Sequence, residues 1–167
     1  MSATAAPALD PENTIYLDLP AGRVVIQLRP DLAPNHVARI KELTRQGFYD
    51  GLAFHRVIPG FMAQTGDPRG DGTGGSGKKL KAEFSGEHHI RGTVSMARSA
   101  SPDSGDSQFF ICFEPSSWLD GQYTIWGQVV SGMEYVDQIK AGSASSNGTV
   151  SDPTKIVRMR VAADVKE

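Results

Sequence analysis

The chain has 167 residues, a length that a single domain accounts for. Seventeen Lys and Arg against nineteen Asp and Glu leave a formal net charge of −2, which excludes the broad basic field of a nucleic-acid-binding surface. The single Cys excludes an internal disulfide framework and a Cys-based zinc site, and the longest apolar run, 109–113, is far short of the roughly 20 residues a membrane span requires.

Residues 1–12 are small, Pro-punctuated and aperiodic, and read as a flexible tail ahead of one domain, 13–167. They carry neither a basic start nor an apolar core of the kind a signal peptide has, so the expected location is cytoplasmic. Thr14–Leu19 and Arg23–Leu28 read as a hairpin turning at Pro20-Ala21-Gly22, because Ile15, Leu17 and Leu19 alternate with Tyr16 and Asp18. Pro34–Gln46 is the best helix: Ala33, Val37, Ile40 and Thr44 share a face, Leu43 lies beside them, and Gly47 suits the position after the end. Residues 53–65 read as two short strands broken at Pro59-Gly60, and 66–78 as a loop. Val94–Ala97, Phe109–Phe113 and Thr124–Val130 read as strands. Met133, Val136 and Ile139 mark a short second helix, and Lys155–Val165 a closing strand whose apolar side chains include Val157. Many short strands, eighteen Gly and two helices imply a sandwich or a barrel.

Several motifs are sharper in spelling than in chemistry. Gly72–Gly77 satisfies G-x-G-x-x-G, but no strand runs directly into it and no apolar helix follows, so a nucleotide site is not expected. Lys79 stands where a P-loop needs Ser or Thr. Arg69-Gly70-Asp71 and Asn147-Gly148-Thr149 spell an adhesion tripeptide and a glycosylation acceptor, which matter only outside the cell. His88 and His89 are adjacent and read as solvated turn residues rather than a metal site. Lys78, Lys79 and Lys81 read as a solvated face, and Cys112 as a small buried hydrophobe.

Residues 54–67, Phe-His-Arg-Val-Ile-Pro-Gly-Phe-Met-Ala-Gln-Thr-Gly-Asp, closely resemble the central motif of the cyclophilins, the cyclosporin-binding peptidyl-prolyl cis-trans isomerases. The resemblance continues in order through Gly72-Thr73-Gly74-Gly75, Ser107–Cys112, Trp118-Leu119-Asp120-Gly121 and Ile125-Trp126-Gly127, and covers about residues 14–165. It implies a mainly β fold, a closed eight-stranded antiparallel β-barrel capped by two α-helices, with the substrate groove on its outer face. It implies Arg56 as the catalytic residue and Phe61, Met62, Phe110 and Leu119 as a proline pocket. His55, Gln64, Ala97, Arg98, Ser99, Gln108, Trp118 and Tyr123 would line the rest of the groove. The expected partners are proline-containing peptides and folding proteins, with cyclosporin A as an inhibitor of a monomeric enzyme that needs no cofactor or metal. Tyr123 stands where many eukaryotic members carry His, and Gln122 where a basic residue is common. Ala97-Arg98-Ser99 replaces Ala-Asn-Ala, and the Met96–Gln108 segment is one residue longer. All these departures resemble bacterial cyclophilins and bear on substrate preference.

The residue types suit the reaction. Rotation about an X–Pro bond must break amide resonance, against a barrier of ~18–20 kcal/mol, and makes no covalent bond. In the twisted state the prolyl nitrogen becomes a hydrogen-bond acceptor, and a permanently charged guanidinium stabilises that state more than either planar one. An apolar cup excludes the water that favours the planar amide. Taken singly, Phe61, Phe110 and Leu119 would read as core and Arg56 as a surface ion-pair partner; only their joint spacing assigns them to a site. The rival readings are a non-catalytic proline-peptide binding module or holdase using the same groove, and a glycine-loop nucleotide enzyme.

Overall fold

The computed structural model describes residues 10–70, 72, 74–143, 145 and 147–165. Most of the expected tail, residues 1–9, lies outside the described residues, as do Asp71 of the adhesion-like tripeptide and Thr73 of the glycine loop. Residues 10–12 belong to a short helical turn: Asp10 caps Pro11–Asn13, and Glu12 pairs with Lys41 and Arg45.

Eight strands form one antiparallel sheet in the spatial order β3-β4-β6-β5-β7-β2-β1-β8. They are β1 (Thr14–Leu19), β2 (Gly22–Leu28), β3 (Arg56–Ile58), β4 (Met62–Thr65), β5 (Thr93–Met96), β6 (Phe109–Cys112), β7 (Ile125–Ser131) and β8 (Arg158–Val161). Period-2 burial follows from the pleat: Ile15, Leu17, Val24, Ile26 and Leu28 enter the core from the β1–β2 hairpin. Trp126, Tyr49, Phe54 and Phe109 are the largest side chains fully enclosed there.

Helix α1 (Pro34–Arg45) buries His36, Val37, Ile40, Leu43 and Thr44, the face its periodicity predicts, and Gly47 follows it at φ +73°. Its N-cap, Ala33, has no side chain to offer, so a distant carboxylate serves. Glu83 accepts the N–H groups of Asn35 and His36 at 3.2 and 2.8 Å and lies 2.6 Å from His36 Nδ1. Helix α2 (Met133–Val136) is a single turn, shorter than the helix expected between Gly132 and Gly142 and marked by Met133, Val136 and Ile139. Beyond it the backbone tightens, with Gln138 and Ile139 each donating to the carbonyl three residues back.

Two expectations are corrected by the sheet. The strands curl into a half-barrel rather than a fully laddered closed barrel: β3 and β8 are edges that do not pair with each other. Isolated bridges at Ala53–Lys155 and Arg56–Thr149, with single bonds such as Phe54 N–H to the Thr154 carbonyl (2.8 Å), span the gap instead. The 147–156 segment cannot supply a regular ladder, because Asn147 and Asp152 sit at φ +57° and +52° and Pro153 has no N–H. The closing strand is likewise confined to Arg158–Val161, and Val157 is 59% exposed. Its partner strand β1 pairs with it only through Ile15–Asp18, after which the chain leaves in a helical turn at Ala162–Asp164.

Gly132, which begins α2, is at φ +85°, and a Cβ there would clash with the Arg23 carbonyl oxygen. Gly132→Ala is expected to destabilise the fold by about 2 kcal/mol or more, since strain and a backbone clash add. A shift in the urea midpoint at constant m-value checks this.

Candidate functional site

The sheet register builds the site as a row. Arg56 on β3 lies opposite Gln64 on β4, Gln64 opposite Phe110 on β6, and Phe110 opposite Ser95 on β5. Cross-strand partners share a face. The next row, Val57, Ala63, Ile111 and Val94, is fully enclosed in the core. The first row therefore projects to the other face, where Met62, Phe110, Cys112 and Leu119 form a second apolar cluster joined by Phe61, Ala97 and Tyr123.

This cluster surrounds a cleft of about 110 Å³ lined by Arg56, Phe61, Met62, Gln64, Ala97, Arg98, Phe110, Leu119 and Tyr123. Nine of the thirteen residues named from the sequence thus meet around one cup. Gln108 and Ser99 lie next door, lining with Ala97 and Arg98 a roomier cleft of about 490 Å³ under the glycine loop. Trp118 stands at the rim, 64% exposed, with its ring 5.5 Å from that of Phe61. His55 is buried beside Gly72 rather than facing the cup.

Among the described residues, the partners that hold Arg56 are neutral. Its Nε donates to the Asn147 carbonyl (3.0 Å), Nη2 to Asn147 Oδ1 (3.1 Å) and Nη1 to Gln64 Oε1 (3.2 Å). Gln64 Nε2 donates to Gln108 Oε1 (2.9 Å), and Gln108 Nε2 to the carbonyls of Gly72 and Gly74. The guanidinium is therefore fixed in direction while its charge is not neutralised by a carboxylate among the described residues. Arg98 is also fixed: it donates to the Gln122, Ser99 and Ala100 carbonyls and lies 4.6 Å over the Tyr123 ring. Tyr123 packs edge-on against Phe110, with centroids 5.6 Å apart. Ser99 is tied through its N–H and hydroxyl to Ser104 Oγ, both at 2.8 Å.

Sequence reasoning missed the Asn147 clamp, which lies 91 positions from Arg56 and carries only the signature of a turn. It also missed the cluster of His88, His89 and Asp120. His88 is exposed as expected, though not in a turn, and His89 is fully buried rather than solvated. The Asp120 carboxylate accepts the His89 backbone N–H at 2.7 Å and lies 2.7 Å from His88 Nδ1 and 3.0 Å from His89 Nδ1. The His89 N–H, foremost, and the His88 side chain hold the Asp120 carboxyl down at about 2 against its partial burial. Burial pushes both His36 and His89 below the ordinary 6.5, with Glu83 and Asp120 respectively opposing it. Burial likewise pushes the Cys112 thiol up to about 12, which suits a packed hydrophobe rather than a nucleophile.

The unfolded chain takes up protons on His36 and His89 below about pH 6.5 while the folded chain resists, so stability falls with acidification from there. A second loss comes as pH drops from about 4 towards 2, where unfolded Asp120 protonates before folded Asp120 does. Urea midpoints measured across this range are expected to show both steps, with the lower one reduced in Asp120→Asn.

With this geometry in place, comparison with known proteins decides the family. The description "Cyclophilin type peptidyl-prolyl cis-trans isomerase/CLD" matches residues 14–161. The chain belongs to the cyclophilin-type peptidyl-prolyl cis-trans isomerases. Among relatives of this family, a probable peptidyl-prolyl cis-trans isomerase of Brucella suis is 56% identical over 173 residues, covering 96% of this chain and 88% of that protein. Peptidyl-prolyl cis-trans isomerase B of Bacillus subtilis is 47% identical over 122 residues, covering 72% and 85%. The crystal structure of a cyclophilin from Hirschia baltica superposes with a TM-score of 0.84 at 28% identity, covering 95% of this chain and 77% of that one. That of a Cryptosporidium parvum cyclophilin, determined in the presence of the dipeptide Ala-Pro, superposes at 0.80 with 27% identity, covering 89% and 98%.

Proposed function

We propose that this cyclophilin assists protein folding by rotating X–Pro bonds of polypeptides in the outer-face cup, with Arg56 as the catalytic residue. The observation that carries the proposal is a guanidinium clamped by neutral groups among the described residues, at the edge of a cleft walled by Phe61, Met62, Phe110 and Leu119. Phe61, Met62, Phe110 and Leu119 hold the proline ring, and Arg56 donates towards the prolyl nitrogen and carbonyl as the amide twists. Clamping matters because a donor already in place stabilises the developing acceptor without reorganising during the reaction. The small cup, walled on one side by Phe61, Met62, Phe110 and Leu119, excludes water from the rotating bond. Gln64 and Gln108, linked to each other and to the glycine loop, orient the peptide on either side of the proline.

The supporting relatives include the Cryptosporidium cyclophilin solved with Ala-Pro, and an Ala-Pro peptide is the natural probe. Substoichiometric protein is expected to give new cis–trans cross-peaks in two-dimensional exchange NMR of that peptide. Line broadening without faster exchange would instead make the groove a proline-binding module. The working form we propose is a cytoplasmic monomer without a cofactor.

The exposed Trp118 beside Phe61 favours cyclosporin A as an inhibitor. Inhibition below micromolar drug is expected, and Trp118→Ala should weaken it by about 30-fold or more, the effect of truncating a hot-spot Trp. Equal inhibition of the two proteins would remove Trp118 from the drug site.

A further inference from the structure

Behind the Phe110 wall of the cup runs a buried polar chain that the isomerisation chemistry leaves unused. The His89 side chain has no solvent exposure and stacks, offset, on Phe110, with centroids 6.2 Å apart and ring planes at 17°. Its Nδ1 lies 3.0 Å from Asp120 Oδ1, and its Nε2 lies 2.9 Å from Ser95 Oγ. The Ser95 hydroxyl is placed to donate to the Thr124 carbonyl at 3.0 Å. Each end of the chain adjoins the cup: Asp120 follows Leu119, Thr124 follows Tyr123, and Ser95 is the cross-strand partner of Phe110.

Hydrogen-bond direction gives this chain two states. Carboxylate and carbonyl oxygens only accept, so all three contacts are satisfied together only when both ring nitrogens carry protons. A neutral ring that donates to Asp120 through Nδ1 presents Nε2 as an acceptor. Ser95 must then turn its hydroxyl from Thr124 to the ring. The Thr124 carbonyl keeps the Met96 N–H at 2.8 Å, so the turn strands no backbone oxygen. Protonation also places a cation against the face of Phe110, which the ring quadrupole attracts.

We propose that His89 is a positioning residue of the isomerase site, and that its charge state, read through Ser95, Asp120 and Phe110, adjusts the cup and hence the rate. This rests on the cup being the isomerisation site. Among the described residues the charged group on the ring is Asp120, whose other oxygen meets His88 and which also acts on the Cys112 thiol of β6, which stays neutral. Arg98 lies beyond Phe110, over Tyr123.

The test follows the Met62 methyl and Phe110 ring resonances by NMR, with kcat and KM for an Ala-Pro peptide, from about pH 4.5 to about pH 8. Wild-type resonances are expected to move in one step below pH 6.5. The step should persist in His88→Ala, move to lower pH in Asp120→Asn, where the carboxylate charge is gone, and vanish in His89→Phe. Across it kcat should change by about two- to fivefold, the rate equivalent of a cation–aromatic contact, with a smaller change in KM. Flat wild-type resonances, or a step that survives His89→Phe, would overturn the proposal. Should His89→Phe not fold, the wild-type titration and its displacement in Asp120→Asn decide. A resonance step without a matching kcat step overturns it too, leaving the assignment of the cup intact. Failure of that assignment shows separately, as full activity in Arg56→Ala.

Discussion

Arg56→Ala is expected to lower kcat/KM roughly 10- to 150-fold, the rate equivalent of a charge-assisted hydrogen bond of about 1.5–3 kcal/mol. Total loss is not expected. Raising an uncatalysed ~0.01 s⁻¹ to a typical enzymatic rate takes roughly 4–7 kcal/mol, more than one donor supplies. The balance comes from orientation and from a dry cup, which the substitution leaves standing. The loss should appear mainly in kcat, because the prolyl nitrogen accepts a hydrogen bond only in the twisted state. Arg56→Lys should recover little, since an ammonium cannot reproduce a fork held by Asn147 and Gln64 together. Exchange NMR on an Ala-Pro peptide measures each variant, and a wild-type rate in Arg56→Ala would remove Arg56 from the mechanism. Folding should be nearly untouched, because the Arg56 partners are exposed or half-buried neutral groups that water can satisfy.

The second large effect separates two neighbours. Phe109 is fully enclosed and meets Tyr49 and Trp126 edge-on at 5.4 and 5.2 Å; Phe110, one residue on, faces the cup. Phe109→Ala is expected to cost about 3–5 kcal/mol of stability, because the rigid surroundings cannot collapse into the space. Phe110→Ala opens onto a surface cleft that water or shifted side chains can fill, and should cost less than Phe109→Ala. Its activity should nevertheless drop at least about tenfold, since the proline ring loses a wall. Urea denaturation and exchange NMR on the same two proteins check the crossed pattern. Equal destabilisation of both would mean that Phe110 serves packing as much as binding.

Much of this was legible in the residues. The β1–β2 alternation, the apolar face of α1 and the ordered motifs between Phe54 and Gly127 are local patterns, and local patterns survive in a linear string. The extent of the last strand was not, because alternation in Lys155–Val165 continues past the residues that find a partner in β1. Nor was the end of α2, where a three-residue spacing of apolar side chains fits both a helix and the tighter turns that follow.

What the sequence by itself determined is the family, and with it the identity of the residues gathered around the cup. Their spacing along β3, β4 and β6 is short-range information that the pleat converts directly into a row of side chains. Only the tertiary structure decided how that row is held. The Asn147 clamp on Arg56, the Glu83 cap on α1 and the Asp120–His89–Ser95 chain behind Phe110 join residues up to 91 positions apart. The half-open seam between β3 and β8 depends in the same way on the backbone of a segment far from either strand. Such contacts leave no period in the sequence, because the chain between their ends can take any course that returns them to hydrogen-bonding distance.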